Sequence, residues 1–104
     1  MALVKKNSKT KNMCKVTFSV SAEAAGGAKD VRVAGEFNAW GTADDTYKLT
    51  KKKDGSWSLT LDLKKGREYQ FRYLIDGNRW ENDWAADKYV PAPNTNEDNS
   101  VVIL

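Results

Sequence analysis

Four tryptophans, at positions 40, 57, 80 and 84, and a complete lack of histidine bound the chemistry open to this 104-residue chain. Without His, imidazole general bases, His-containing triads and the usual zinc sites are excluded. The single cysteine, Cys14, cannot close an internal disulfide. Three acids lie near Trp80, namely Asp76, Glu81 and Asp83, and paired carboxylates are the requirement for glycoside hydrolysis. Asp76 belongs to an Asp-Gly turn, and Glu81 and Asp83 read as ordinary exposed acids. A domain this small also lacks a deep cleft to keep water from a reacting group. The chain is therefore expected not to be an enzyme. No stretch alternates acids as a calcium loop does, and no metal or cofactor is implied.

Trp40 is the more informative residue. The stretch "GEFNAWG", residues 35–41, sets its indole among small and polar residues that cannot continue a strand. Burying such a ring is favourable by about 3 kcal/mol. One left in a turn is either a lid over the end of a core or a platform for a flat, partly apolar ligand.

The elements that must position these rings show period two almost throughout. Val16, Phe18 and Val20 share one face of the first clear run, and Val31, Val33 and Phe37 share one face of the next. Tyr47 and Leu49 make a weaker pair; Trp57, Leu59, Leu61 and Leu63 alternate with polar residues, as do Tyr69, Phe71, Tyr73 and Ile75. The chain ends on SVVIL. Turn chemistry separates the runs in AAGGAKD, KKDGSW, KKGRE and DGNR, and Gly26 with Gly27 cuts short the one stretch of helical character. About seven short strands at this spacing predict an all-β, immunoglobulin-like antiparallel β-sandwich. Phe18, Val33, Trp57, Leu59, Leu61, Phe71 and Tyr73 are its expected core. Pro91 and Pro93 mark an extended crossover to the last strand rather than a central strand.

Charge is unevenly spread. Lys5, Lys6, Lys9, Lys11 and Lys15 stand in the first fifteen residues with no acid among them, leaving 12 basic and 14 acidic side chains elsewhere. Residues 1–12 are expected to form a mobile basic tail and residues 13–104 the folded domain. Five lysines without arginines or interleaved aromatics describe a solvated tail better than a nucleic-acid site. No apolar run approaches membrane-spanning length, no secretory leader is visible, and the expected compartment is cytoplasmic.

Parity sorts the tryptophans in part. Trp57 keeps the parity of Leu59 and Leu61 and belongs to the core. Trp80 depends on the hairpin that precedes it. A two-residue Asp76-Gly77 loop pairs Tyr73 with Trp80 and turns the indole inward; a three-residue loop ending at Asn78 pairs Leu74 with Trp80 and turns it outward beside Arg72. Trp84, in NDWAAD, has no periodicity to place it.

The motifs VRVAGEFNAW, DGSWSLTLDL, GREYQFRYLIDGNRWENDW and NSVVIL resemble, in this order, those of the early-set carbohydrate-binding domain. That domain precedes the catalytic barrel of isoamylases and glycogen branching enzymes and forms the glycogen-binding domain of the β subunit of AMP-activated protein kinase. The likeness runs from about Cys14 to Leu104 and is greatest to stand-alone bacterial versions. It implies a non-catalytic module binding α-1,4-glucan, such as glycogen, starch or maltooligosaccharide. Trp40 and Trp80 would be its sugar platforms, with Arg72 and Asn99 donating to hydroxyls. The one extra residue before Trp80 favours the three-residue hairpin. Trp84 stands where a proline is common. The resemblance also implies a protein partner, a glycogen-metabolising enzyme or another protein. The alternative is a protein-interaction or bracing module of the same fold that has lost sugar binding.

Overall fold

The computed structural model describes residues 2–7, 12–41, 45–93 and 95–104. Nine strands lie among them: β1 (Ala2–Asn7), β2 (Met13–Val20), β3 (Val31–Gly35), β4 (Thr50–Lys51), β5 (Trp57–Lys64), β6 (Glu68–Ile75), β7 (Arg79–Glu81), β8 (Lys88–Pro91) and β9 (Asp98–Ile103). They form two antiparallel sheets, ordered β1-β2-β5-β4 and β3-β6-β9-β8, with β7 paired to β6 outside that order. The expected β-sandwich is the observed fold. A single helical turn, Ala22–Ala25, is capped by the Ser21 hydroxyl, which accepts from Ala24 N–H at 3.1 Å.

The core lies between the sheets and is aromatic at its centre. Phe18 of β2 meets Phe71 of β6 edge-on at 5.1 Å between centroids, and Phe71 meets Tyr73 likewise at 5.7 Å. Such tilted pairs suit the ring quadrupoles. Val16, Val20, Val31, Val33 and Val102 fill the space around them with no exposed surface. Leu59 and Leu61 keep the predicted inward parity but are only half-buried. Among the described residues, strand β4 pairs with β5 at Trp57 and Ser58 alone.

Two expectations need correction. Ala2–Asn7 pairs antiparallel with β2 from Ala2↔Ser19 to Asn7↔Cys14, where a mobile tail through residue 12 was expected. The physical reason is that β2 offers an edge of unpaired N–H and C=O groups, and Leu3 packs on the core. Lys5 shares Leu3's parity and reaches across to the other sheet, bonding Asp87 at 2.6 Å. Met1 and residues 8–11, also part of that expected tail, lie outside the described residues. The second correction is Asp83, which read as an exposed acid and is fully buried. It accepts from the Tyr73 hydroxyl at 2.7 Å and from Ala85 N–H at 2.8 Å. Burial, with the Asp83 carboxylate facing it, holds the Tyr73 phenol well above the usual tyrosine range.

Candidate functional site

The outer face of the β3-β6-β9-β8 sheet is built by strand parity. Arg72 and Leu74 on β6 point outward, with Ala34 of β3 opposite Arg72 and Trp80 of β7 opposite Leu74. The β6–β7 connection is the three-residue loop Asp76-Gly77-Asn78, since Ile75 pairs with Arg79. Asp76 and Gly77 are both left-handed, at φ 53° and 71°. Glycine adopts that backbone freely; aspartate needs help. Here the Asp76 carboxylate accepts from Lys29 and Asp30 N–H at 2.8 and 2.9 Å, tying the hairpin to the segment before β3.

Trp40 arrives from the other side. After β3 the chain makes a 3-10 turn over Glu36–Asn38, then holds Ala39 and Trp40 left-handed at φ 53° and 60°. Asn38 is the clamp: its side chain accepts from Gly35 N–H at 2.9 Å and donates to Val33 O and Gly41 O. Trp40 N–H donates to Gly35 O at 2.9 Å. Gly35 itself is extended and needs no special backbone, but a Cβ there would lie 2.4 Å from Gln70 O. The close approach of β3 to β6 is what demands glycine. Glu36 seals the same corner by accepting from Gln70 N–H at 2.7 Å.

These elements bring all four expected residues together. Trp40, Arg72, Trp80 and Asn99 line one cleft of about 290 Å³ with Ala92 and Thr95. Trp40 is 38% and Trp80 45% exposed. Arg72 lines the same cleft, its side chain largely covered, donating from Nε to Asn99 Oδ1 at 2.7 Å and from Nη1 to Glu97 at 2.9 Å. Asn99 is buried, and its Nδ2 donates to Gln70 at 3.0 Å. The geometry therefore sets Asn99 beneath the cleft as the holder of Arg72. Two of the five guanidinium N–H groups are committed to these partners, and the remaining donors suit a ligand rich in oxygen acceptors.

Sequence reasoning missed Glu97, Ala92 and Thr95. Glu97 carried a signal, because it stands two residues before Asn99 and so on the same parity. Ala92 and Thr95 belong to a loop, where no period applies. Of the acids weighed for catalysis, Asp76 and Asp83 are engaged in backbone and core bonds, and Glu81 lies 3.8 Å from Arg79. Among the described residues no cluster of three potential metal ligands occurs.

The family model described as "Glycogen recognition site of AMP-activated protein kinase" matches residues 18–103. Among curated proteins, an alpha-amylase of Niallia circulans is 40% identical over 58 residues, which is 55% of this chain and 4% of that protein. The matched chain thus spans only a small part of the amylase's length.

Proposed function

Because the chain belongs to the family of the glycogen recognition site of AMP-activated protein kinase, we propose that it binds α-glucan without catalysis, stacking glucose units on Trp40 and Trp80. The observation that carries this reading is one cleft lined by two exposed indoles and a guanidinium held by Asn99. Sugar rings present apolar faces and a rim of hydroxyls, so rings and fork suit them together. Trp40 held left-handed supports it further. That backbone costs a bulky residue about 1–3 kcal/mol and is kept where function compensates.

Each stacked pyranose covers about 100 Å² of apolar surface, or about 2.5 kcal/mol. Two platforms give about 5 kcal/mol before hydrogen bonds, and association costs several kcal/mol. The dissociation constant then falls between about 1 μM and 1 mM. A polymer offering many copies of one site converts such weak binding into firm attachment. Glycogen and related α-1,4-glucans are the ligands this favours, in the cytoplasm. The amylase segment similar to this chain fits the same substrate class.

The test is titration with maltoheptaose, followed by tryptophan fluorescence and backbone NMR shifts. Saturable shifts centred on Trp40, Arg72 and Trp80 are expected. No binding at about 10 mM ligand, a ceiling of about −2.7 kcal/mol, overturns the reading and favours a protein-interaction role for the same rings.

A further inference from the structure

The cleft does not end at Trp80. A second one, of about 440 Å³, adjoins it and shares Arg72 and Trp80 as common wall. Both are of the size that holds small ligands. The second carries two further open rings, Trp84 at 61% and Tyr89 at 44% exposure, with Glu81 and Asp98 beside them. Trp84 is the most exposed of the large apolar side chains among the described residues.

Its backbone is nonetheless firmly held. On one side Asn82 donates to Asp98 O at 2.7 Å and accepts from Ser100 N–H at 2.9 Å. Next to it Asp83 is buried, bonded to Tyr73, Ala85 N–H and, through its own N–H, the Ser100 hydroxyl at 2.8 Å. Tyr89 is tied to the same anchor, its hydroxyl donating to Asp83 O. An indole fixed at its root and open at its face loses little freedom on stacking. An ordinary surface loop has no need of such anchoring around an exposed ring.

We propose that the second cleft is an extension subsite for the same α-glucan chain. Sugar units leaving Trp80 stack on Trp84, while Glu81 and Asp98 accept from their hydroxyls. The assignment rests on the glucan reading of the first cleft. Continuity through Arg72 and Trp80 selects the occupant, because a chain seated on Trp80 has its next units over this wall. The acids on that wall disfavour a polyanion.

Length dependence tests it. Maltotriose, maltoheptaose and a longer maltooligosaccharide are titrated against the wild type, Trp84→Ala and Trp40→Ala, with thermal unfolding run on each. Trp84→Ala is expected to unfold like wild type, to bind maltotriose equally, and to bind the long chain at least fivefold more weakly. In wild-type NMR spectra the Trp84 indole N–H should shift with the long chain and stay still with maltotriose. Equal affinities of Trp84→Ala and wild type at every length, with Trp40→Ala impaired, overturn the extension and leave the first cleft standing. Equal weakening at every length also overturns it, since Trp84 would then belong to the first cleft. Absence of wild-type binding at all lengths overturns both readings.

Discussion

Arg72 Nε donates to Asn99 Oδ1 at 2.7 Å, so of two side chains expected to face the ligand, one holds the other. The bond, with that from Nη1 to Glu97, restricts the guanidinium and leaves its remaining N–H groups for a ligand in the cleft. Asn99→Ala leaves Arg72 and Gln70 without these partners beneath the cleft. Affinity for maltoheptaose should fall about tenfold, and stability by about 1–3 kcal/mol. Asn99→Asp keeps an acceptor for Arg72 and should retain most of the affinity. A loss as large as that of Asn99→Ala would mean that Asn99 donates to sugar directly.

Arg72→Lys tests the fork itself. Lysine keeps the charge but offers a compact ammonium in place of a planar set of donors. Affinity should drop about fivefold to tenfold, close to 1 kcal/mol, as read by the same titration. The thermal midpoint should move less than in Asn99→Ala.

Gly35→Ala addresses the corner that launches Trp40. The added Cβ would meet Gln70 O at 2.4 Å and Phe71 Cβ at 2.8 Å, and neither atom is the end of a flexible side chain. Strand β3 must therefore move away from β6. The expected cost is about 3 kcal/mol, or a fall of roughly 12–24 °C in Tm for a domain this size. Calorimetry or circular dichroism on the variant checks it.

Much of this corner was legible in the sequence, and the reasons differ by residue. Period two placed Arg72 and Leu74 outward, because a half-buried strand must alternate. It could not place Trp80, whose face depends on whether the hairpin holds two or three residues; the left-handed Asp76, braced by Lys29 and Asp30 N–H, is a tertiary effect. Asp83 was misread because a lone acid in an irregular stretch looks exposed, and its partners Tyr73 and Ser100 lie on other strands. Strand β1 was missed for a similar reason. Its sequence, ALVKKN, groups its apolar and polar residues rather than alternating them, and what recruits it is the open edge of β2.

The Lys5–Asp87 pair joins β1 to the opposite sheet and carries a pH dependence. Burial pushes the Asp87 carboxyl up, but the Ile103 N–H and Lys5 outweigh it and bring it below the ordinary value. A depressed carboxyl stabilises the fold fully above its unfolded value of about 4, and that contribution is lost as the pH falls through the folded value below it. Protection of the β1 amides from hydrogen exchange should therefore decrease below about pH 4. In Asp87→Asn that dependence should vanish. Unprotected β1 amides at neutral pH would instead mean that the strand is not formed in solution.

Tyr73 gives the opposite limit. Its phenol is buried against Asp83 and held well above the usual value, so the folded protein keeps a proton that the unfolded chain releases near pH 10. Stability from this group is complete below that pH and is lost as the pH rises above it. Tyr73→Phe removes the donor from the buried Asp83 carboxylate and should cost about 1–3 kcal/mol at neutral pH. It should also flatten the alkaline limb of the stability profile, which urea unfolding at pH 7 and pH 10.5 would measure.

Trp40 separates a lid from a platform. If the indole closed the core, Trp40→Ala would cost about 3–5 kcal/mol. The ring is 38% exposed and held at φ 60°, a backbone that favours glycine, so the platform reading predicts otherwise. Trp40→Ala should change stability by less than about 1 kcal/mol and weaken maltoheptaose binding more than tenfold, about 2 kcal/mol. Trp40→Gly goes further, because it removes the ring and also relieves the left-handed backbone. Its stability should equal or exceed that of Trp40→Ala, while its binding is equally poor. Unfolding and titration on the same preparations decide the matter. A strongly destabilised Trp40→Ala that still binds glucan would make the ring a lid and remove the first platform from the proposed site.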